Sequence, residues 1–502
     1  MSERRDYLKA LTGRSREELF TSKRRPHKES RDLLFKKART AYPLRLLGKG
    51  GNGEAYVSEE ERSANFHIIG APGEGKSKFL EYNIRKDIDA GLGLCLLDPS
   101  EGGDTAQNIL KYCASIGHEK VILIDPSLDK FPKLAPLNPD AVKRSVAGVV
   151  EALGILFDVK STSTPRIKRY LTALLRLLAK RKLTLAETKY FSDYYRDTAI
   201  RKDILGTDRD SSTIRNLFRS EHKFDTFFSS SINQLDSLWQ EPLISMLSNK
   251  KGINFLEAVS KGWVILVNLS PYRLTEDESR LLGVLVISQI IQAVDVLVNK
   301  KPNAWKGVYY LYIDEAGRFA TPQIDTLLSY KRKSGLRLVL AHHFNEQFED
   351  KKVFNSIVNN ARIKLMFDTP NPENRLFAMK AMGYGGDITP TMAAFANQNL
   401  PKQYAILKKN KETPVRIRIP DVPEVKISKE DFKAYVDNLL TAKWYGTNTR
   451  PPKKNPSSPR PGEAHDVPPV STAPLSDRTD SDDIRESEQA TKPPPKRRPI
   501  KI

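Results

Sequence analysis

Gly70-Ala71-Pro72-Gly73-Glu74-Gly75-Lys76-Ser77 is the stretch on which the fold turns. It satisfies G-x-x-x-x-G-K-[ST], and its surroundings are those the pattern requires. Phe66–Gly70 before it reads as a buried strand, and residues 77–90 after it read as a helix. Glycines in such a loop let backbone N–H groups curl around a β-phosphate, and the helix N-terminus adds positive potential. Lys76 is spaced to reach the β- and γ-phosphates, and the Ser77 hydroxyl to coordinate Mg2+. The expected cofactors are therefore ATP and Mg2+, with residues 70–77 as the nucleotide-binding set. A plain glycine turn is the competing reading, and the strand–loop–helix setting speaks against it.

Outward from this loop the chain keeps a strand–helix rhythm. Gly93–Asp98 reads as a strand, 104–116 as a helix and Val121–Asp125 as a strand. A βαβαβ rhythm implies a parallel sheet with right-handed crossovers. Residues 143–255 lose the strands. Arg166–Lys180 (RIKRYLTALLRLLAK) instead shows apolar spacing near 3.6 with a strongly basic opposite face. That segment reads as an all-α insertion, with polyanion binding as its expected role. Strands return at Trp263–Leu269, Val308–Asp314, Leu336–Ala341, Ile363–Phe367 and Gln403–Leu407. The expected fold is α/β, a P-loop domain with a mainly parallel sheet split by helices.

The expected boundaries are a basic helical arm at 1–45, the first part of the α/β domain at 46–142, and the all-α insertion at 143–255. The second part of the α/β domain follows at 256–425, a C-terminal helix at 426–445 and a disordered tail at 446–502. The arm carries about eight net positive charges. The tail is rich in Pro, Ser, Asp and Lys, ends PPPKRRPIKI, and lacks the apolar content to build a core.

A P-loop needs a second element, an acidic pair closing an apolar strand. Val308-Tyr309-Tyr310-Leu311-Tyr312-Ile313-Asp314-Glu315 supplies it. Asp314 is expected in the Mg2+ shell, and Glu315 is expected to orient and polarise the attacking water. Leu47-Gly48-Lys49-Gly50-Gly51-Asn52-Gly53-Glu54-Ala55-Tyr56-Val57 resembles the glycine-rich loop of protein kinases. The V-A-I-K-like lysine, the H-R-D and the D-F-G that a kinase also needs are absent from the sequence. Gly48 to Gly53 is therefore expected to form a flexible turn before the P-loop strand.

The 502 residues carry a formal net charge of +21, which favours a polyanionic partner, nucleic acid before an anionic membrane. Two cysteines, Cys95 and Cys113, lack metal-ligand spacing, which fits a reduced, cytoplasmic compartment. The longest apolar stretch, Leu281 to Val298, is interrupted by Ser288, Gln289, Gln292 and Asp295, and reads as a buried helix. A soluble protein is the expectation.

With these motifs in order, residues 50–425 resemble the HerA/FtsK superfamily of RecA-like DNA-pumping ATPases. They are most like the coupling proteins of conjugation and type IV secretion (the TraG/TraD kind) and their soluble relatives. The likeness rests on Gly91-Leu92-Gly93-Leu94-Cys95-Leu96-Leu97-Asp98-Pro99, Val121-Ile122-Leu123-Ile124-Asp125-Pro126, Leu137-Asn138-Pro139 and Gly262–Ser270, all in family order. Ser100-Glu101-Gly102-Gly103-Asp104 replaces the family's lysine-glycine-acid. The resemblance implies a homohexameric ring with ATP between subunits and DNA in a basic channel. It assigns a trans-acting arginine to Arg332, within Tyr330–Leu336, with Arg362 as a second candidate. The family's γ-phosphate-sensing glutamine is replaced by His343, with Gln347 four residues on. Histidine can still donate to a phosphate.

The coupling proteins usually begin with transmembrane helices, whereas this chain begins with a basic arm. Three motor settings are left open: a cytoplasmic coupling protein recruited to a secretion channel or relaxase, a HerA-like helicase–translocase with a nuclease partner, and a virus or plasmid packaging motor. A fourth reading, from another class, is an ATP-switched recruitment scaffold that moves no DNA.

Overall fold

The computed structural model describes residues 44–51, 53–156, 165–185, 187–188, 212, 240–272, 274–300, 307–330, 334–344, 347–382, 400–410 and 412–447. The expected N-terminal arm lies outside them except for its last two residues, as do most of 186–239, Arg332 and the tail from residue 448 on.

Thirteen strands run through the described chain: β1 (Arg45–Gly50), β2 (Gly53–Val57), β3 (Phe66–Ile69), β4 (Gly93–Asp98), β5 (Val121–Ile124), β6 (Lys130–Pro132), β7 (Val264–Asn268), β8 (Tyr309–Ile313), β9 (Leu336–His342), β10 (Ile363–Met366), β11 (Tyr404–Lys409), β12 (Val415–Arg418) and β13 (Tyr445–Thr447). The helices the site depends on are α1 (Glu59–Arg62), α2 (Lys76–Asp89), α3 (Asp104–Ser115), α4 (Val142–Leu156), α5 (Pro165–Lys180), α6 (Leu243–Leu247), α7 (Phe255–Ser260), α8 (Glu276–Lys300), α9 (Pro322–Tyr330), α10 (Lys351–Asn360), α11 (Pro372–Ala381) and α12 (Lys429–Leu439).

Eleven strands form one sheet in the order β2-β1-β12-β11-β10-β3-β9-β8-β4-β7-β5. From β10 to β5 every neighbouring pair is parallel. From β2 to β10 the pairs are antiparallel. The parallel strands read as unbroken apolar runs because both faces are covered. Every residue of FHII in β3, GLCLLD in β4, VILVN in β7 and YYLYI in β8 is buried. One face packs on α2, α3 and α12 through Phe79, Leu80, Ile84, Leu110 and Leu439. The other packs on α4, α5 and α8, with Val149, Leu153, Leu174 and Leu285 joining Leu97, Ile265 and Leu311 in one core.

The regular elements described within 143–255 are helices, and α4 and α5 share that core with the sheet. α8 is long and apolar enough to cross a membrane by composition, yet most of it lies inside the core against α4.

Gly48 to Gly53 corrects the expected flexible turn. Gly48 and Gly50 belong to β1, Gly53 opens β2, and the two strands make an antiparallel hairpin. Glycine is required here by close packing: a Cβ on Gly48 would lie 2.5 Å from the Arg418 carbonyl oxygen of β12. A second difference is β13, which pairs with β6 across Tyr445–Pro132, so ordered structure runs through Thr447, past the expected start of the tail.

Near its C-terminal end, away from the P-loop, α2 is anchored by a buried ion cluster. Asp87 is fully buried; its Oδ1 accepts from Arg45 (2.7 Å) and Arg62 (2.8 Å), and its Oδ2 from Arg62 (2.8 Å) and Tyr312 (2.5 Å). Burial alone would raise its pKa, but Arg62 and Arg45 override that and hold it below the ordinary range. Removing one member of such a buried group typically costs about 3–5 kcal/mol. The cluster ties α2 to β1, α1 and β8, fixing from below the helix whose N-terminus carries the loop.

Candidate nucleotide site

Four strands that are neighbours in the sheet, β3, β9, β8 and β4, end side by side. Gly70 follows β3, His343 follows β9, Asp314 follows β8, and Asp98 closes β4. Ligands in open α/β sheets sit at the carboxyl ends of strands, and here those ends carry the motif residues.

The loop itself is built by backbone conformation. Gly75, the N-cap of α2, has φ 117°, a region that residues with side chains rarely adopt. A Cβ there would also lie 3.2 Å from Ile419 Cδ1 and 3.4 Å from Gln403 Cα. Lys76 folds over the loop: its Nζ donates to the carbonyls of Gly70 (2.6 Å) and Ala71 (2.9 Å) and lies 2.7 Å from His343 Nδ1. Burial lowers the Lys76 pKa to about 8, against the pull of Asp314 and Glu315. It is thus a poorly solvated cation at neutral pH, which is the state that gains most from an anionic ligand.

Ser77 Oγ donates to Asp314 Oδ2 at 3.2 Å, bringing hydroxyl and carboxylate within the span of a single cation. Burial, and then Asp98 on the adjacent strand, push Asp314 up to about 6. Asp98 is itself held by Ser100 and by the Ala106 amide of α3. Among the described residues no cluster of three or more His, Cys, Asp or Glu side chains could hold a metal by itself. A hydroxyl plus one carboxylate suits Mg2+, which keeps waters and takes phosphate oxygens for the rest of its shell.

Glu315 sits in the left-handed region at φ 48°, ψ 50°. Non-glycine residues held there are strained, and such strain clusters at functional positions. Its carboxylate lies 3.7 Å from His343 Nε2 and 3.6 Å from the Arg318 guanidinium. The His343 imidazole beside it is the main influence holding it below the usual glutamate range, with Arg318 and Lys76 pulling the same way against burial. Lys76 can only donate, so His343 Nδ1 accepts and Nε2 carries the proton, facing Glu315.

Gln347 is placed differently from His343. Its Oε1 accepts from the backbone N–H of His343 (2.9 Å) and Phe344 (3.3 Å), so it braces the turn that presents His343. Arg362 precedes β10 at the amino ends of the parallel strands, where Ile363 pairs with Phe66, and so lies at the opposite strand ends from the P-loop.

Two groups escaped the sequence reading. Arg318 follows the acidic pair and bridges Glu315 and Glu276. The other is a stacked histidine pair, His67 of β3 and His342 of β9, both buried, with Nε2 atoms 2.7 Å apart. A polar residue inside the apolar run FHII was the available signal. His342 Nδ1 lies 3.2 Å from the Phe344 carbonyl and so donates; its Nε2 then accepts from His67.

Burial lowers both histidines, His342 to about 3, and nearby Lys364, Lys76 and His343 push the same way. The unfolded chain takes up these protons near pH 6.5 and the folded chain does not, so stability is lost as pH falls below about 6.5. Urea unfolding should lose up to about 1.4 kcal/mol per pH unit for each histidine on the way down, and His67→Leu should flatten that slope. An unchanged slope would refute the neutral pair.

No family model and no curated protein matches the sequence. Among solved structures the chain is similar to the bacterial conjugative coupling protein TrwB. Its unbound N-terminally shortened form aligns with TM-score 0.54 at 15% identity, covering 78% of this chain and 92% of that one. TrwB in complex with ADP and Mg2+ gives 0.53 at 15% identity over 78% and 92%. TrwB with the non-hydrolysable ATP analogue ADPNP gives 0.54 at 15% identity over 78% and 94%. The RecA-like P-loop fold with a mainly parallel sheet, expected from the resemblance, is therefore the fold of this chain.

Proposed function

We propose that the chain is an ATP-hydrolysing DNA translocase, a ring motor of the coupling-protein kind. The observation that carries this reading is the meeting of Lys76, Ser77, Asp314, Glu315 and His343 at four adjacent strand ends. Backbone N–H groups of 73–77 and Lys76 hold the β- and γ-phosphates. Ser77 and Asp314 would hold Mg2+, whose charge offsets that developing on the phosphoryl oxygens. Glu315, kept anionic beside His343 and Arg318, orients a water in line with the γ-phosphorus. His343 is hydrogen-bonded to the P-loop lysine, so a change at the γ-phosphate reaches the β9 turn through Lys76 even without a glutamine at this position.

Arg332 is the proposed trans cation. Leu336, four residues on, opens β9 at the amino ends of the parallel strands, opposite the carboxyl ends that carry its own P-loop, which favours action on a neighbouring subunit's nucleotide. A homohexamer follows from this reading, and a net charge of +21 supports DNA as the polyanion in its channel. Grip on phosphates makes DNA stimulation insensitive to sequence and sensitive to salt.

The test is ATP turnover with and without DNA, together with oligomeric mass and displacement of a protein roadblock from a DNA track. Turnover that rises with DNA, falls with salt and clears the roadblock supports the motor. Nucleotide-dependent DNA or partner binding with no movement would support the recruitment scaffold instead.

A further inference from the structure

We infer that Gln403 and Arg418, on the antiparallel edge of the sheet, form the site for the nucleoside half of the nucleotide. The inference rests on the P-loop reading above and adds a location that the motif does not specify.

Direction comes from the sheet order. The residues proposed for the γ-phosphate and Mg2+, His343, Asp314 and Glu315, follow β9 and β8 on one side of β3. A triphosphate lying in the loop with its terminal phosphate toward them must lead its ribose and base out on the other side, where β10, β11 and β12 lie. There the chain makes a specific attachment to the loop. The Gln403 N–H donates to the Glu74 carbonyl (3.1 Å), and the Gln403 carbonyl accepts from Ile419 N–H (2.9 Å). Ile419 and Gln403 also close on Gly75. Gln403 is one of the few described non-glycine residues with positive φ, at 67°, so its unusual backbone is held in place by the loop and by β12.

The side chains at this position suit a planar, polar ligand. The Arg418 guanidinium is pinned by both oxygens of Asp421 (2.8 and 3.0 Å) and by Gln403 Oε1 (3.1 Å). It is 44% exposed, so the pinned plane still presents surface to a ligand. A fixed guanidinium plane stacks on flat π-systems. Because Arg418 only donates, the Gln403 oxygen must face it, which leaves the amide N–H group as a donor for a ribose or base acceptor.

The experiment compares ATP with inorganic tripolyphosphate, which has the phosphates and lacks the nucleoside. Dissociation constants are measured by calorimetry on the full chain, with Arg418→Ala and Gln403→Gly. The glycine variant keeps the positive-φ backbone and the link to Glu74 while removing the amide. Each variant should weaken ATP about tenfold and leave tripolyphosphate within about twofold. Equal losses for both ligands, or no loss for either, would overturn the assignment. Should Arg418→Ala fail to fold, Gln403→Gly decides alone. Failure of the P-loop reading looks different: the wild-type chain would bind neither ligand.

Discussion

Lys76→Ala should abolish ATP turnover, with a fall of at least about 10²–10³-fold, the loss typical of removing one preorganised donor from an oxyanion site. The side chain is the one cation inside the loop, already desolvated and aimed at the carbonyls of Gly70 and Ala71. A buried ammonium whose pKa is lowered to about 8 is a burden on the fold at pH 7. Its removal should therefore not unfold the chain, and lost activity with an unchanged far-ultraviolet spectrum is the expected pairing. ATP and tripolyphosphate should weaken together, unlike the selective loss expected at Arg418. Turnover above about a tenth of the wild-type rate would mean that chemistry does not occur at this loop.

Glu315→Gln should separate binding from hydrolysis. The amide is nearly isosteric and can keep contact with His343, but it has no charge with which to polarise water. Turnover should fall by roughly 10²–10⁴-fold, the usual range for an acid–base group, while ATP affinity stays within a few-fold. The strained backbone of Glu315 is independent of its carboxylate, so the fold should tolerate the change. A variant that no longer binds ATP would show that Glu315 supports the loop, and the water-orienting role would have to be reassigned.

The eight strands expected from apolar runs are all present, with limits shifted by at most two residues. Parallel strands covered on both faces must be apolar throughout, which leaves a local mark. The five strands not anticipated, β1, β2, β6, β12 and β13, lie elsewhere. In β12 the order Val415-Arg416-Ile417-Arg418 leaves only Ile417 buried, and β1 is interrupted by glycines. Short strands with few buried apolar residues or with glycines carry weak patterns, and their identity is fixed by the partner they pair with.

The sequence alone determined the loop at 70–77, the acidic pair at 314–315 and the alternation of strand and helix, because each depends on residues close together in the chain. Tertiary structure decided which strand ends become neighbours. Ser77 meets Asp314 across 237 positions and Lys76 meets His343 across 267, contacts that follow from the order β3-β9-β8-β4. The attachment of Gln403 to Glu74 and the burial of His67 against His342 have the same origin. Strand order reflects packing of whole faces over long separations, and no local periodicity encodes it. The chemistry available at the site was thus written in short motifs, and its assembly was decided by the sheet.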